Sequence, residues 1–174
     1  MRAGKSLLVA LFTVAALVIG VLPGAMLSGA AADDQPDLSV PYGSSGWRYL
    51  DVSHGSNAGF ESPSYDDSSW QTGTAPFGTS GCSGTPAPQT YWPPNTDMLV
   101  RRKLDLNPTT LTGDLTLKVA IDNDVDVFFN GTLIASNDYE GCGQEKAIFD
   151  IPKALVVDGA NTLAVRGIDR GSID

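Results

Sequence analysis

The feature that most constrains this chain is a β-hairpin signature centred on Asn130-Gly131. Two runs of strand-forming residues flank this pair, and both positions of a two-residue turn need positive φ, which Asn and Gly adopt at low cost. Val125, Val127 and Phe129 fall on one side of the first run, so that side is predicted to be buried. With Thr132 the turn also fits an N-glycosylation sequon, although the turn alone explains its first two residues. The chain is therefore predicted to contain antiparallel β-structure.

The same alternation of apolar and polar residues recurs along the chain. Further strands are predicted at 47–52, 96–106, 115–121, 147–151 and 162–168. Residues 53–96 are rich in Gly, Pro, Ser and Thr and are predicted to be irregular, with one helical turn capped by Ser64. Arg102 interrupts an apolar face, which predicts a position near a sheet edge or a carboxylate partner. Short strands at this spacing predict an all-β fold, an antiparallel β-sandwich or jelly roll.

The amino-terminal residues have the pattern of a targeting segment. Arg2 and Lys5 precede an apolar run at 7–22, and three alanines end at Ala32. This pattern predicts a cleaved signal peptide at 1–32, a flexible lead-in at 33–45 and a β-sandwich domain at 46–174. The alternative is a retained membrane anchor, but the run is short for a span. The protein is predicted to be secreted.

The charge of the chain limits its partners. The segment 1–32 holds two of the 11 basic residues and none of the 20 acidic ones, so its removal leaves a formal charge of −11. Such a surface repels polyanions, which argues against nucleic acid and against an anionic membrane as partners. A solvated acidic surface explains this composition without any acid-specific role.

The two cysteines, Cys82 and Cys142, both follow the targeting segment and lie in glycine-rich stretches. In an exported chain an even pair predicts one disulfide, which would tie two loops together at one end of the domain. Zinc binding is disfavoured because each loop has one Cys and His54 is far away in sequence. Free thiols are the remaining alternative.

No residue pattern predicts a catalytic centre. Adjacent Asp66 and Asp67 fit turn chemistry, and the three aspartates at 122, 124 and 126 share a solvent face of a strand. Neither arrangement resembles two carboxyl groups facing each other across a bound sugar. His54 is the only histidine, and no Gly-x-Ser-x-Gly motif is present to pair with it. Enzyme activity is therefore not predicted.

The aspartates at 122, 124 and 126 also match the first positions of a calcium-binding EF-hand loop. The glycine needed at the sixth position and the glutamate needed at the twelfth are absent, because Val127 and Leu133 stand there. An EF-hand is therefore rejected, and no other cofactor is indicated by the residues.

Four stretches in succession give the chain a family resemblance. They read Gly-Trp-Arg-Tyr-Leu-Asp at 46–51, Tyr-Asp-Asp-Ser-Ser-Trp-Gln-Thr-Gly-Thr-Ala-Pro-Phe-Gly at 65–78, Asp-Asn-Asp-Val-Asp-Val-Phe-Phe-Asn-Gly at 122–131 and Gly-Ala-Asn-Thr-Leu-Ala-Val at 159–165. This succession resembles the galactose-binding-like jelly-roll modules attached to secreted bacterial glycoside hydrolases. Such modules include sugar binders, spacers and adhesion domains, and they often hold a structural calcium. The resemblance therefore implies the fold, leaves Ca²⁺ as an option without assigned ligands, and leaves function to be argued from a site.

The best candidate site on sequence grounds is the pair of loops that carry the cysteines. Flat aromatic rings beside amide and carboxylate groups suit a sugar, whose ring face stacks while its hydroxyls form hydrogen bonds. A disulfide would hold both loops and reduce the ordering cost of binding. The candidate ligand-binding residues are Tyr91, Trp92, Asn95, Asn137, Asp138, Tyr139 and Glu140. The alternative is that Tyr91 and Trp92 cap the open end of the sandwich and bind nothing.

Together these features predict an exported, non-catalytic carbohydrate-binding module. The rival interpretation is a structural or adhesion β-sandwich whose partner is another protein or a neighbouring domain. A catalytic role comes third, with an accessory part of a glycoside hydrolase as its form. The chain stops at Asp174 without a clear terminal strand, so a fold that lacks its last strand and one whose last strand is supplied otherwise both stay open.

Overall fold

The computed structural model describes residues 40–79, 86–139 and 147–171, with the side chains of Asp138 and Tyr139 left out. The predicted signal peptide, most of the lead-in, the two cysteines and Glu140 lie outside these ranges. The predicted disulfide therefore stays a prediction.

The all-β prediction is confirmed. The described residues form ten strands, and their one helical element is a 3₁₀ turn at Lys153–Leu155. No helix in the described ranges is long and apolar enough to cross a membrane. The strands are β1 Ser45–Val52, β2 Gln71–Thr74, β3 Phe77–Gly78, β4 Thr90–Tyr91, β5 Asp97–Leu106, β6 Leu115–Val119, β7 Asn123–Phe129, β8 Thr132–Tyr139, β9 Ala147–Ile151 and β10 Gly159–Ile168.

Most strands belong to one antiparallel sheet of six, in the order β2-β1-β5-β10-β7-β8. The antiparallel pair β6–β9 packs on one face of this sheet, here called the inner face, and the short parallel pair β3–β4 completes the described β-structure. The main apolar core lies between the large sheet and β6–β9, which gives the predicted sandwich.

Strands β7 and β8 confirm the hairpin predicted at Asn130-Gly131. Asn130 and Gly131 adopt φ of 49° and 81°, as the turn requires. Val125, Val127 and Phe129 are fully buried on the inner face, where they meet apolar side chains of β9. Each such side chain contributes about 1.5–3 kcal/mol by leaving water. The hairpin is therefore the centre of the main core.

The opposite, outer face of the large sheet is covered by an irregular segment rather than by a second sheet. Phe60 and Trp70 from residues 53–70 pack on Leu99 of β5 and Ala164 of β10 in a second apolar cluster. Beside it lies Arg101, whose side chain points to the same face and is 1% exposed. The large sheet is thus covered on both faces over much of its area.

The helical turn predicted to start at Ser64 is wrong. Its hydroxyl lies 3.0 Å from the Ser62 hydroxyl, and the Asp66 carboxylate accepts the backbone N–H of Ser68 at 3.0 Å. Such local side-chain bonds compete with the helical hydrogen-bond pattern. The segment is therefore a series of turns, and the residues 71–91, predicted to be irregular, contain the short strands β2, β3 and β4.

The expectation for Arg102 is also wrong, because β5 is an interior strand of the large sheet. The Arg102 guanidinium lies over the Trp47 ring at 5.4 Å and donates to the Ser44 hydroxyl and the Ser45 carbonyl at 3.0 and 2.8 Å. Its neighbour Arg101 is the residue that pairs with a carboxylate.

Candidate functional site

Three neighbouring strands bring charged residues together at one end of the outer face. Asp97 on β5 is in register with Ile168 on β10, and Ile168 is in register with Asp124 on β7. Two residues further along, on the same face, Arg166 of β10 is in register with Asp126 of β7. These five residues come from distant parts of the chain and share one surface because of strand register.

This surface is the floor and wall of an open cavity of about 390 Å³, which we call the polar groove. Its remaining lining comes from the loop after β1 and from the residues that follow β10. The full lining is His54, Gly55, Asp97, Asp124, Asp126, Arg166, Ile168 and Arg170.

Asp97 organises one side of the polar groove. Its carboxylate is 1% exposed and accepts hydrogen bonds from Arg166 Nη1 at 2.8 Å and from the Gly55 backbone N–H at 2.9 Å. The other oxygen of this carboxylate lies 2.7 Å from His54 Nδ1. Arg166 also donates to the Ser56 carbonyl at 2.9 Å. The loop after β1 is therefore held against β5 and β10 by one buried, fully engaged carboxylate.

The other side of the polar groove is formed by β7 and the residues after β10. Arg170 Nη2 donates to the Asp124 carboxylate at 2.6 Å, and the Arg170 backbone N–H donates to the Asn123 side chain at 2.9 Å. The Ser136 hydroxyl of β8 donates to Asp126 at 2.6 Å. The groove therefore presents both guanidinium donors and carboxylate acceptors from fixed positions.

His54 is the side chain of the polar groove whose ordinary pKa, 6.5, lies near neutral pH. The hydrogen bond to Asp97 raises the pKa of His54 above its ordinary value of 6.5, and a weaker contact of Nε2 with Asn95 Oδ1 at 3.4 Å acts in the same direction. The nearby charges of Asp97 and Asp169 add to this effect. Protonated His54 is thus the form that the groove favours.

The chemistry that this arrangement supports is binding. Asp97 and Asp124 are both ion-paired with arginines, so both carboxylates accept hydrogen bonds in this arrangement. In the described parts of the chain no three His, Cys, Asp or Glu side chains converge as a metal site would require. The calcium expectation therefore stays without assigned ligands.

The aromatic residues of the predicted site differ in exposure. Tyr91 on β4 is 66% exposed, whereas Trp92 is 8% exposed. The Trp92 indole packs against Gly167, where a Cβ atom would lie 2.7 Å from its ring, and donates to the Thr96 hydroxyl at 3.1 Å. Trp92 therefore closes the end of the sandwich instead of presenting a ring face to solvent.

The remaining predicted residues lie at the same end of the large sheet as the polar groove. Asn95 has φ of 59° and contacts His54, so it belongs to the rim of the groove. Asn137 on β8 is in register with Val125, and the backbones of Asp138 and Tyr139 follow it on the same strand. Glu140 lies outside the described residues. Strand register thus brings Asn95 and residues 137–139 to one end of the large sheet.

Most of the groove was not predicted from the sequence. No role was predicted for His54, the aspartates of β7 were assigned to a solvent face, and Asp97, Arg166 and Arg170 were not among the candidate residues. A signal was present on β7, where Asp124 and Asp126 alternate with the buried Val125 and Val127. What the pattern lacked was the register that joins the three strands.

Solved structures share the fold. The β-glucuronidase 2 of Bacteroides uniformis, in a calcium-binding mutant, superimposes with a TM-score of 0.53 at 20% identity over 72% of this chain. A β-glucuronidase from glycoside hydrolase family 2 gives a TM-score of 0.52 at 18% identity over 76% of this chain. A β-glycosidase from Bacteroides vulgatus gives 0.50 at 17% identity over 72%. At these identities the similarity extends to the fold alone.

The superimposed region is a small part of each enzyme. It covers 14% of the two β-glucuronidases and 16% of the β-glycosidase. No protein-family model and no curated protein matches the chain in sequence. The chain therefore has the architecture of a β-sandwich that such enzymes contain as one part among several.

Proposed function

We propose that this chain is a non-catalytic accessory β-sandwich that binds carbohydrate at the polar groove. The observation that carries the proposal is the groove itself, in which two guanidinium groups and three carboxylates line about 390 Å³ at one end of the sheet. Concave sites with a few fixed polar groups are the usual form of small-ligand sites.

The chemistry of these groups matches vicinal hydroxyls. A carboxylate accepts and a guanidinium donates, so an adjacent pair can serve two hydroxyls of one sugar ring. Ile168 between the two ion pairs supplies an apolar patch for the ring carbons. Asp97 and Arg166 are already fixed by their mutual contacts, which lowers the ordering cost of binding.

The similar structures support a carbohydrate-related role. The enzymes that share the fold are β-glucuronidases and a β-glycosidase, and the matching part of each is a small fraction of the enzyme. A β-sandwich that accompanies a carbohydrate-active enzyme is expected to hold the polymer near the catalytic part. Export through the targeting segment at 1–32 would place it where polysaccharides occur.

A second candidate function is docking to a neighbouring domain without binding sugar. The observation that favours it is the small share of each enzyme that the fold covers, since a part of a larger assembly needs interfaces. In this case the polar groove would receive a protein surface, and free sugars would leave it empty.

A glycan array followed by isothermal titration tests the proposal. The Arg170→Ala variant removes an exposed guanidinium from the groove, and we expect it to weaken sugar binding by about tenfold, as loss of a charge-assisted hydrogen bond implies. The matched control is Lys118→Ala, which removes a basic residue from β6 in the other layer. If no glycan binds the wild type, or if both variants lose affinity equally, the carbohydrate proposal fails and docking becomes the better interpretation.

A further inference from the structure

The charges of the polar groove are distributed unevenly among its carboxylates. Asp97 forms salt bridges with Arg166 at 2.8 Å and with protonated His54 at 2.7 Å. Asp124 forms a salt bridge with Arg170 at 2.6 Å. The cations that line the groove are thus already committed to two of its three carboxylates.

Asp126 is the third carboxylate, and its position differs from the other two. Its partner in the described chain is the Ser136 hydroxyl, which donates to Oδ1 at 2.6 Å. Arg166 is in register with Asp126 on the adjacent strand, but both of its terminal nitrogens donate elsewhere, to Asp97 and to the Ser56 carbonyl. Asp126 therefore brings to the cavity a carboxylate charge that forms no salt bridge within the described residues.

A ligand that enters this groove meets that charge at short range. An ammonium group beside Asp126 gains a charge-assisted hydrogen bond, whereas a second carboxylate there meets a like charge in a partly desolvated site. The formal charge of the whole chain, −9, acts in the same direction at long range.

We infer that the polar groove selects sugars that carry a free amino group, with the ammonium on Asp126, and disfavours uronic acids. The inference rests on the proposed function and specifies the ligand class of the same site. The inferred ligand class differs from glucuronate, although similar folds occur in β-glucuronidases.

The experiment compares three probes of equal size by isothermal titration at pH 7 and low salt. These are a glucosamine disaccharide, its N-acetylated form, which is neutral, and a disaccharide that contains glucuronate. We expect the free amine to bind about tenfold more tightly than the acetylated sugar, as one charge-assisted bond implies, and the uronate to bind most weakly. Added salt is expected to reduce the preference, because it screens partly exposed charges.

The decisive variant is Asp126→Asn, which keeps the shape and the Ser136 contact but removes the charge. We expect the amine and the acetylated sugar to bind this variant with equal affinity, because the charge that distinguishes the two sugars has been removed. Asp150→Asn, at an exposed position of β9, is the matched control and should keep the tenfold preference. Thermal unfolding of each variant checks that the fold is intact.

The outcomes distinguish this inference from the proposed function. Binding of the acetylated sugar without any preference for the amine, or a preference that survives in Asp126→Asn, overturns the inference and leaves carbohydrate binding in place. Absence of binding to all three probes and to the glycan array overturns both.

Discussion

Arg101 is the residue whose replacement gives the sharpest test of how the outer face is held. Its side chain is 1% exposed and joins β5 to the irregular segment 53–70. The guanidinium forms an ion pair with Asp67 at 2.7 Å, donates to the carbonyls of Phe60 and Ser62, and lies 5.4 Å from the Tyr65 ring. We consider the change Arg101→Met, which keeps much of the apolar stem and removes every one of these polar contacts.

The expected cost follows from what is left behind. Removal of one partner from a buried ion pair destabilises a protein by about 3–5 kcal/mol, because the remaining charge stays desolvated. Asp67 is 19% exposed, so water can reach it in part and the lower end of that range applies. The Met side chain also retains some buried apolar area. We therefore expect a loss of about 3 kcal/mol, which for a domain of this size lowers Tm by roughly 10 °C.

Urea unfolding followed by tryptophan fluorescence measures this loss directly, provided that the slope with denaturant stays constant. The control is Arg102→Met, the neighbouring arginine on the inner face, which contacts the Trp47 ring and donates to the Ser44 hydroxyl and the Ser45 carbonyl. We expect it to cost about 1 kcal/mol. In the double variant with Asp67→Asn, part of the loss should be recovered, because no unpaired carboxylate remains.

The reasoning is refuted if Arg101→Met and Arg102→Met destabilise the domain by amounts within about 0.5 kcal/mol of each other, the usual error of additivity. It is also refuted if Asp67→Asn adds to the loss of Arg101→Met instead of offsetting it. Either result would mean that the segment 53–70 is held by its apolar contacts alone.

Three further changes test other parts of the structure. The pKa of His54 is raised in the folded protein, so its contribution to stability is present below pH 6.5 and is lost as pH rises through the pKa of the folded state. The Tm of the wild type should therefore fall relative to that of His54→Gln between pH 6 and 8. Parallel curves of Tm against pH would contradict this. Asn130→Ala removes hydrogen bonds to Leu155 of the 3₁₀ turn and to Asn161 and Thr162 of β10, together with a favourable positive φ, and should cost about 3 kcal/mol in urea unfolding. Because the Asn130 amide is engaged, we also expect intact mass to show no glycan at Asn130 after expression in a glycosylating host. Gly167→Ala places a Cβ atom 2.7 Å from the Trp92 ring and should lower the free energy of unfolding by about 1–3 kcal/mol, with a shifted tryptophan fluorescence maximum. Its control is Gly113→Ala, where the space around the glycine is open and stability should change little. Equal effects of the two substitutions would refute the close packing.

The sequence predicted the strands well because a period of two is local information. The hairpin at Asn130-Gly131 and strands β1, β5, β6, β9 and β10 were all indicated by alternation within a few residues. The segment 53–70 was not predictable in the same way. Its conformation depends on Arg101, more than thirty residues later, which engages Asp67 and the carbonyls of Phe60 and Ser62.

The candidate site shows the same limit. Alternation could place Asp124 and Asp126 on one face of β7, but only the order β5-β10-β7 brings them beside Asp97 and Arg166. Of the residues predicted from the sequence, Asn95 borders the groove through its contact with His54. The sequence left a ligand-binding and an end-capping Trp92 both open, because the small residue beneath its ring, Gly167, comes from a strand far along the chain.

One face of β7 and β10 packs in the core and the other face forms the groove, and this separation has an evolutionary consequence. Side chains that point inward hold the two layers together, and the alternate side chains at the strand ends form the groove, so a substitution at one set leaves the other almost untouched. A scaffold of this kind can acquire a new ligand preference through a handful of outward replacements. Its descendants would be expected to keep the interior hairpin while they diversify in what they recognise.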